Sequence, residues 1–186
     1  MKIIVVDKNH QFRLIPDSAL LLKNRPLFCP DYVQALHAKI ALVVKINRLG
    51  KYIQEKFAPT YYDEIGFVIN FYDKKCLDEL VEKGLPWERA TCFDGSFALS
   101  EFVKISEIVD DFVIVRANNY SPQQTFSINL ITQTIPSVIS ELSTYMTLKI
   151  GDYIAIELDE ISTPIALNDT LQLSLGDKEM IKVVVK

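Results

Sequence analysis

The sequence predicts an α+β fold, mostly β: a sandwich or roll of strands with a few covering helices. Three observations predict it. Apolar runs rich in β-branched residues recur along the chain, at 2–6, 36–48, 65–72 and 153–158. Helical patterns are fewer, at 54–62, 75–82 and 136–146. The 186 residues are 49% hydrophobic and 24% charged, the mix of one globular domain that buries a real core.

Residues 2–6 read as a strand and 11–15 as a second, stopped by Pro16. Asp17 and Ser18 offer cap oxygens to a turn through Leu21. Residues 25–28 are extended, and Pro30 ends them. In 36–48, Ile40, Leu42, Val44 and Ile46 alternate onto one buried face, and Lys39, Ala41, Val43 and Lys45 share the other. Gly50 marks the turn. The helical stretch 54–62 is interrupted by Pro59 or restarted there. Residues 65–72 form a buried strand, and 75–82 a helix stopped by Gly84 with Pro86 beyond. Residues 97–105 and 112–116 are expected to pair as a hairpin around Asp110-Asp111. Residues 126–131 read as a strand. In 136–146, Val138, Ile139, Leu142, Tyr145 and Met146 share one helix face. Gly151-Asp152 closes the next connection, and 153–158, 171–175 and 182–185 are strands.

Composition excludes several functions. Twenty Lys+Arg against 24 Asp+Glu leave a net charge of −4, which argues against nucleic-acid partners and anionic membranes. The longest uncharged apolar run, residues 40–44, is far too short to span a bilayer. Asp7 and Lys8 break any signal-peptide core. Three widely spaced cysteines suit a reducing cytoplasm. Two histidines and no paired C-x-x-C leave little for a zinc site. Phosphate, dinucleotide and serine-hydrolase signatures are absent.

Several segments, in order, resemble the fumarylacetoacetate hydrolase family. Pro16-Asp17-Ser18-Ala19-Leu20-Leu21 resembles its K-P-x-x-x-L region. Residues 42–51 resemble the strand and turn after its E-x-E motif. Gly84-Leu85-Pro86-Trp87-Glu88 and Phe93-Asp94-Gly95-Ser96 resemble its K-G-x-P-W and K-x-F-D-G block, and Thr147-Leu148-Lys149-Ile150-Gly151-Asp152 its L-x-P-G-D element. The resemblance implies that residues 1–186 form a single domain like that family's C-terminal domain, a mixed β-sandwich roll. It is shortened between residues 6 and 12 and near 129, where family loops are missing. It also implies enzymes that cleave, decarboxylate or isomerise acylpyruvates and other oxo acids. They use magnesium held by three carboxylates, a hard cation on oxygen ligands that stabilises an enolate.

At the positions matching those groups the sequence departs. The two glutamates of E-x-E match Lys39 and Ala41, the aspartate ligand matches Asn70, and the catalytic lysine matches Thr91. The T-G-T-P turn matches Ile156-Glu157-Leu158-Asp159 and retains none of it. His10 could replace a family histidine from the missing loop, whose glutamate has no counterpart. Lys39, Ala41 and Asn70 sum to +1 in place of −3. No cofactor is therefore expected: a cation beside Lys39 is repelled. Lys39 is read either as an ammonium in the vacated cation position, holding an anion, or as a strand lysine reaching solvent. For Asn70 a hydrogen-bonded structural role is favoured over a ligand role. Asp159-Glu160 is placed in a turn.

The resemblance, with these losses, implies a catalytically silent homologue that binds a small anionic ligand or a partner, and the cysteines imply a cytoplasmic one. The alternative is an enzyme of altered, metal-independent chemistry on an oxo acid through Lys39. A homodimer is implied, or a hetero-oligomer with an active paralogue.

Overall fold

A computed structural model describes residues 1–21, 25–109, 112–117, 120–161 and 163–186, with the backbone alone for 120–123. Among these residues twelve strands form two sheets. The strands are β1 (Ile3–Val6), β2 (Phe12–Ile15), β3 (Leu20–Leu21), β4 (Leu36–Lys45), β5 (Glu64–Asp73) and β6 (Phe97–Leu99). They continue as β7 (Val103–Lys104), β8 (Phe112–Ala117), β9 (Tyr120–Ser127), β10 (Tyr153–Ile161), β11 (Thr170–Leu175) and β12 (Lys178–Val184). The large sheet runs β2-β1-β10-β4-β5-β6-β3, with β7 also on β5; the small one runs β12-β11-β8-β9. Pairs β1–β10 and β3–β6 are parallel, and the others are antiparallel. The helices are α1 (Lys74–Glu82), α2 (Glu88–Thr91), α3 (Ile128–Thr132) and α4 (Ile135–Tyr145). None is long and apolar enough to cross a membrane.

The alternation in β4 divides the hydrophobic core. Ile40, Leu42 and Val44 join Phe67, Ile69 and Ile154 in one cluster, closed by α4 and by Val115, Leu173 and Ile181 of the small sheet. Ala41 and Val43 face the other way and join Val5, Val68, Phe97 and Ala155 in a second cluster. Both faces of the large sheet are therefore covered, which explains why its central strands read as continuous apolar runs. Burying each Val, Leu, Ile or Phe side chain among them contributes about 1.5–3 kcal/mol.

Capping and turn chemistry set the boundaries. Asp73, 3% exposed, begins α1 by accepting from the Cys76 amide, and it also accepts from the amides of Gln34 and Ala35. Gly84 ends the helix with φ +63°, a conformation a side chain disfavours. Gly50 is needed for space: a Cβ there would lie 2.5 Å from the Tyr61 ring, on a backbone that exchanges hydrogen bonds with Leu148.

Five local expectations differ from the structure. Residues 97–105 and 112–116 do not pair: β6 and β7 lie on β5 in the large sheet, and β8 pairs β9 and β11 in the small one. Asp110-Asp111 lie outside the described residues. The strand expected at 126–131 ends at Ser127, whose hydroxyl accepts from the Leu130 amide and starts α3. Asp17 and Ser18 form a 3-10 turn, Asp17–Ala19, with no side-chain cap. Residues 55–61 form a 3-10 segment with Pro59 inside it. On α4, Val138, Ile139 and Leu142 are buried as expected, but Tyr145 is 61% exposed.

Asp152 ties the start of β1 to the turn before β10. It is 1% exposed and accepts from the Lys2 amide at 2.8 Å, the Lys149 amide at 2.8 Å and the Lys2 ammonium. Burial works to raise its carboxyl, but these hydrogen bonds outweigh it and hold the group below the ordinary carboxylate range. Replacing Asp152 with Ala should therefore lower stability by about 2–4 kcal/mol in urea unfolding at neutral pH. A depressed carboxylate stabilises above its unfolded value, so the gap between wild type and variant should shrink below about pH 4 and close as pH falls through the folded value.

Candidate functional site

The polar groups of the large sheet gather on the face that carries the second cluster. Register places them there. Lys39 lies opposite Asn70, His37 opposite Tyr72, and Ala41 opposite Val68, so side chains of each pair project to the same side. Arg13 lies opposite Val5, which pairs Ala155 on β10. On β10 a bulge between Glu157 and Asp159 leaves Glu157 opposite Ala41 and Glu160 opposite Lys39. Without the extra residue, Glu157 and Glu160 would point to opposite faces; with it they share one.

Glu157 is the centre of the group. Its side chain is 6% exposed; one oxygen accepts from Arg13 Nη2 and the other from Lys39 Nζ at 2.9 Å. Lys39 Nζ also lies 5.9 Å from the Tyr72 ring. The Tyr72 hydroxyl donates to Glu160, and His37 Nδ1 stands 3.5 Å from the same carboxylate. Burial, then this hydrogen bond, pushes the Tyr72 phenol well above its ordinary value, so it stays a protonated donor. The result is a chain of charge-assisted contacts from β2 across β10 and β4 to β5.

The positions singled out in the sequence converge here. Lys39, Ala41 and Asn70 share the face, and Thr91, 4% exposed, lies at the end of α2, which packs on β5. Lys39 does not simply reach solvent, since it is paired with Glu157. Asn70 corrects the expectation of a hydrogen-bonded role: it is 2% exposed, and neither its amide nitrogen nor its amide oxygen has a partner among the described residues. Thr91 Oγ1 donates to the Trp87 carbonyl within the helix. His10 is turned away: it sits at φ +60° between β1 and β2, and its Nδ1 lies 3.1 Å from Glu141 of α4. Asp159 and Glu160 belong to β10 and not to a turn; Asp159 pairs with Lys8 at 3.1 Å.

Arg13, His37, Tyr72, Glu157 and Glu160 were not predicted as site residues. One signal was available: Glu157 interrupts the apolar run Tyr153-Ile154-Ala155-Ile156, where a buried acid needs a cation. Two hollows flank the ion group. One, about 250 Å³, is lined by Lys39 and Glu157 with Asp7, Lys8, Asn9 and Asp159. The other, about 220 Å³, lies between Arg13 and Leu14 of β2 and the α2 region. Burial pushes the Cys92 thiol on its wall upward, away from thiolate chemistry.

The sequence profile of the fumarylacetoacetate (FAA) hydrolase C-terminal family matches residues 6–156. Among curated relatives, the oxaloacetate tautomerase FAHD1, mitochondrial, of Bos taurus is 28% identical over 165 residues, covering 87% of this chain and 74% of its own. The oxaloacetate tautomerase YcgM of Escherichia coli (strain K12) is 24% identical over 163 residues, covering 86% of this chain and 74% of its own. A fumarylacetoacetate hydrolase family protein from Yersinia pestis CO92 superposes with TM-score 0.87 at 22% identity, over 100% of this chain and 92% of that one. The fumarylpyruvate hydrolase of Pseudomonas aeruginosa, solved with Mn2+ and pyruvate, superposes with TM-score 0.83 at 16% identity, over 100% and 90%.

The Arg13–Glu157 contact is desolvated enough to be measured. A double-mutant cycle on Arg13→Ala and Glu157→Ala, read by urea unfolding, should return a coupling of about 2 kcal/mol. Additive single effects would mean that the pair is not formed in solution.

Proposed function

Since this chain belongs to the fumarylacetoacetate hydrolase family, whose enzymes are hydrolases and isomerases of oxo acids, we propose that it is a catalytically silent member that binds a ligand or partner without metal. One observation carries the reading. Where the family resemblance places metal-binding carboxylates, this chain has Lys39, Ala41 and Asn70, and the Lys39 ammonium is already hydrogen-bonded to Glu157. A divalent cation does not fit these groups. It needs several oxygen ligands of net negative charge, and the nearest carboxylate is neutralised by two fixed cations, Lys39 and Arg13. Asn70 would supply a single neutral oxygen. Thr91 cannot supply the charge of the lysine it matches.

The alternative, metal-independent chemistry on an oxo acid through Lys39, is less well supported. A Schiff base needs an amine free to attack a carbonyl, and Lys39 Nζ is engaged by Glu157 at 2.9 Å. Assembly as a homodimer, or as a hetero-oligomer with an active paralogue, belongs to the same proposal and rests on the family resemblance. A cytoplasmic location is part of it too, on the ground that three free cysteines suit a reducing compartment.

The test is turnover. With magnesium or manganese and oxaloacetate or an acylpyruvate, the purified chain should leave the enol absorbance decaying at the rate of buffer alone. Metal-dependent acceleration, abolished by a chelator, would overturn the proposal. Borohydride treatment in the presence of the oxo acid should leave Lys39 unmodified; a trapped adduct at Lys39, found by mass spectrometry, would move the reading to the alternative.

A further inference from the structure

The connection from β4 to β5 meets the turn before β10 at one end of the fold. Its backbone is tied down there. Gly50 exchanges hydrogen bonds with Leu148, the Tyr52 amide donates to the Ser143 carbonyl, and Lys51 Nζ donates to the Thr144 carbonyl at 3.1 Å, so the connection sits on the C-terminal end of α4. The side chains it presents are nonetheless apolar and exposed: Leu49, Tyr52, Phe57 and, across the bridge between Gly50 and Leu148, Ile150. Tyr52 is 72% exposed and holds φ +55°, a conformation that strains any residue but glycine. No burial of the ring offsets that strain.

Cations surround these apolar groups. Lys51 Nζ lies 4.9 Å from the centre of the Tyr52 ring, Lys56 Nζ 4.8 Å from that of Phe57, and the Arg48 guanidinium 5.7 Å from that of Tyr61. An aromatic face holds a cation in place without neutralising it. Among the described residues neither these three nor Lys149, beside Leu49, forms an ion pair with a carboxylate. Residues 45–63 and 147–151 hold five cations against Glu55 and Asp63, a local charge of +3 on a chain of net charge −4, which leaves −7 for the rest. Exposed aromatic and aliphatic groups with arginine and a charged rim have the composition of a protein-binding patch. The ion group takes no part in it: Lys45, where β4 ends, stands six residues past Lys39, about 20 Å along the strand.

We propose that this end of the fold docks an acidic segment of another protein, in which carboxylates are interspersed with aromatic side chains. The carboxylates meet Arg48, Lys51, Lys56 and Lys149, and the aromatic groups cover Leu49, Tyr52, Phe57 and Ile150. Charge complementarity selects this occupant. An anionic lipid sheet extends past the patch on every side and meets the repulsion of the acidic remainder, whereas a segment confined to the patch does not. The assignment holds whether or not the chain turns over an oxo acid.

Three short fluorescein-labelled peptides, repeats of Asp-Glu-Phe, Asp-Glu-Ser and Lys-Arg-Phe, are titrated into the full chain and followed by anisotropy. The acidic aromatic peptide should bind at least about tenfold more tightly than either of the others. Raising salt from about 50 mM to about 300 mM should weaken it at least about fivefold. Lys56 and Lys149 make no side-chain hydrogen bond among the described residues, so Lys56→Glu combined with Lys149→Glu should keep the fold and weaken binding at least about tenfold. Tyr52→Gly, which suits the positive φ, should leave the urea midpoint no lower and weaken binding at least about threefold. Equal binding of the three peptides, indifference to salt, or undiminished binding in either variant would overturn the proposal. The chain should stay in solution when phosphatidylserine vesicles are sedimented, and the doubly reversed variant should keep the oligomeric state of the wild type. Sedimentation with the vesicles would give the surface to a membrane, and a changed oligomeric state to a second copy; either result overturns the acidic segment as its occupant.

Discussion

A carboxylate buried in a sheet must be neutralised, and much of this molecule's polar architecture follows from that at Glu157. Taking such a group out of water costs several kcal/mol unless cations and hydrogen bonds replace the hydration shell. Arg13 reaches it from β2 and Lys39 from β4, on either side of β10. The bulge after Glu157 then brings Glu160 to the same face, where Tyr72 and His37 meet it. Lys39 is thus held by a partner on the next strand, which is why a lysine is tolerated among buried neighbours.

The fold can accommodate this buried ion group because its main core lies on the opposite face. The larger apolar cluster, between the large sheet, α4 and the small sheet, contains none of the ion-group residues. The site face carries its own smaller cluster, built from Val5, Ala41, Val68, Phe97 and Ala155. Ala41 belongs to that packing: a methyl stands where the resemblance places a carboxylate. A scaffold whose stability and site reside on different faces of one sheet can change the chemistry of the site without losing the fold. Superposition on family members at identities of 16–22% is the expected consequence.

Much of the secondary structure was legible because the strands of the large sheet are long and apolar. The pattern over 36–48 resolved into β4, and α1 lies one residue from its expected start, since Asp73 caps it and Gly84 stops it. The errors fall where local pattern is ambiguous. Residues 97–105 and 112–116 are both apolar and neighbouring, which suggests a hairpin, yet the first pairs with β5 and the second with β9 and β11 in the other sheet. The apolar run after Phe126 suits a strand or a helix turn equally, and the Ser127 hydroxyl decides for the helix.

By itself the sequence determined the strand-rich class and the alternation of β4 into two faces, both read from local spacing and residue type; that an amine, a methyl and an amide stand at the places of three acids is what the family resemblance implies. Only the tertiary structure decided what those groups meet. Arg13 and Glu157 are 144 residues apart, and Lys39 and Glu157 are 118 apart. The contact of all three depends on strand order, and the place of Glu160 on the same face depends on a one-residue bulge. Neither leaves a trace in periodicity, because pairing between distant strands is chosen by the energy of the whole sheet and not by any stretch of chain within it.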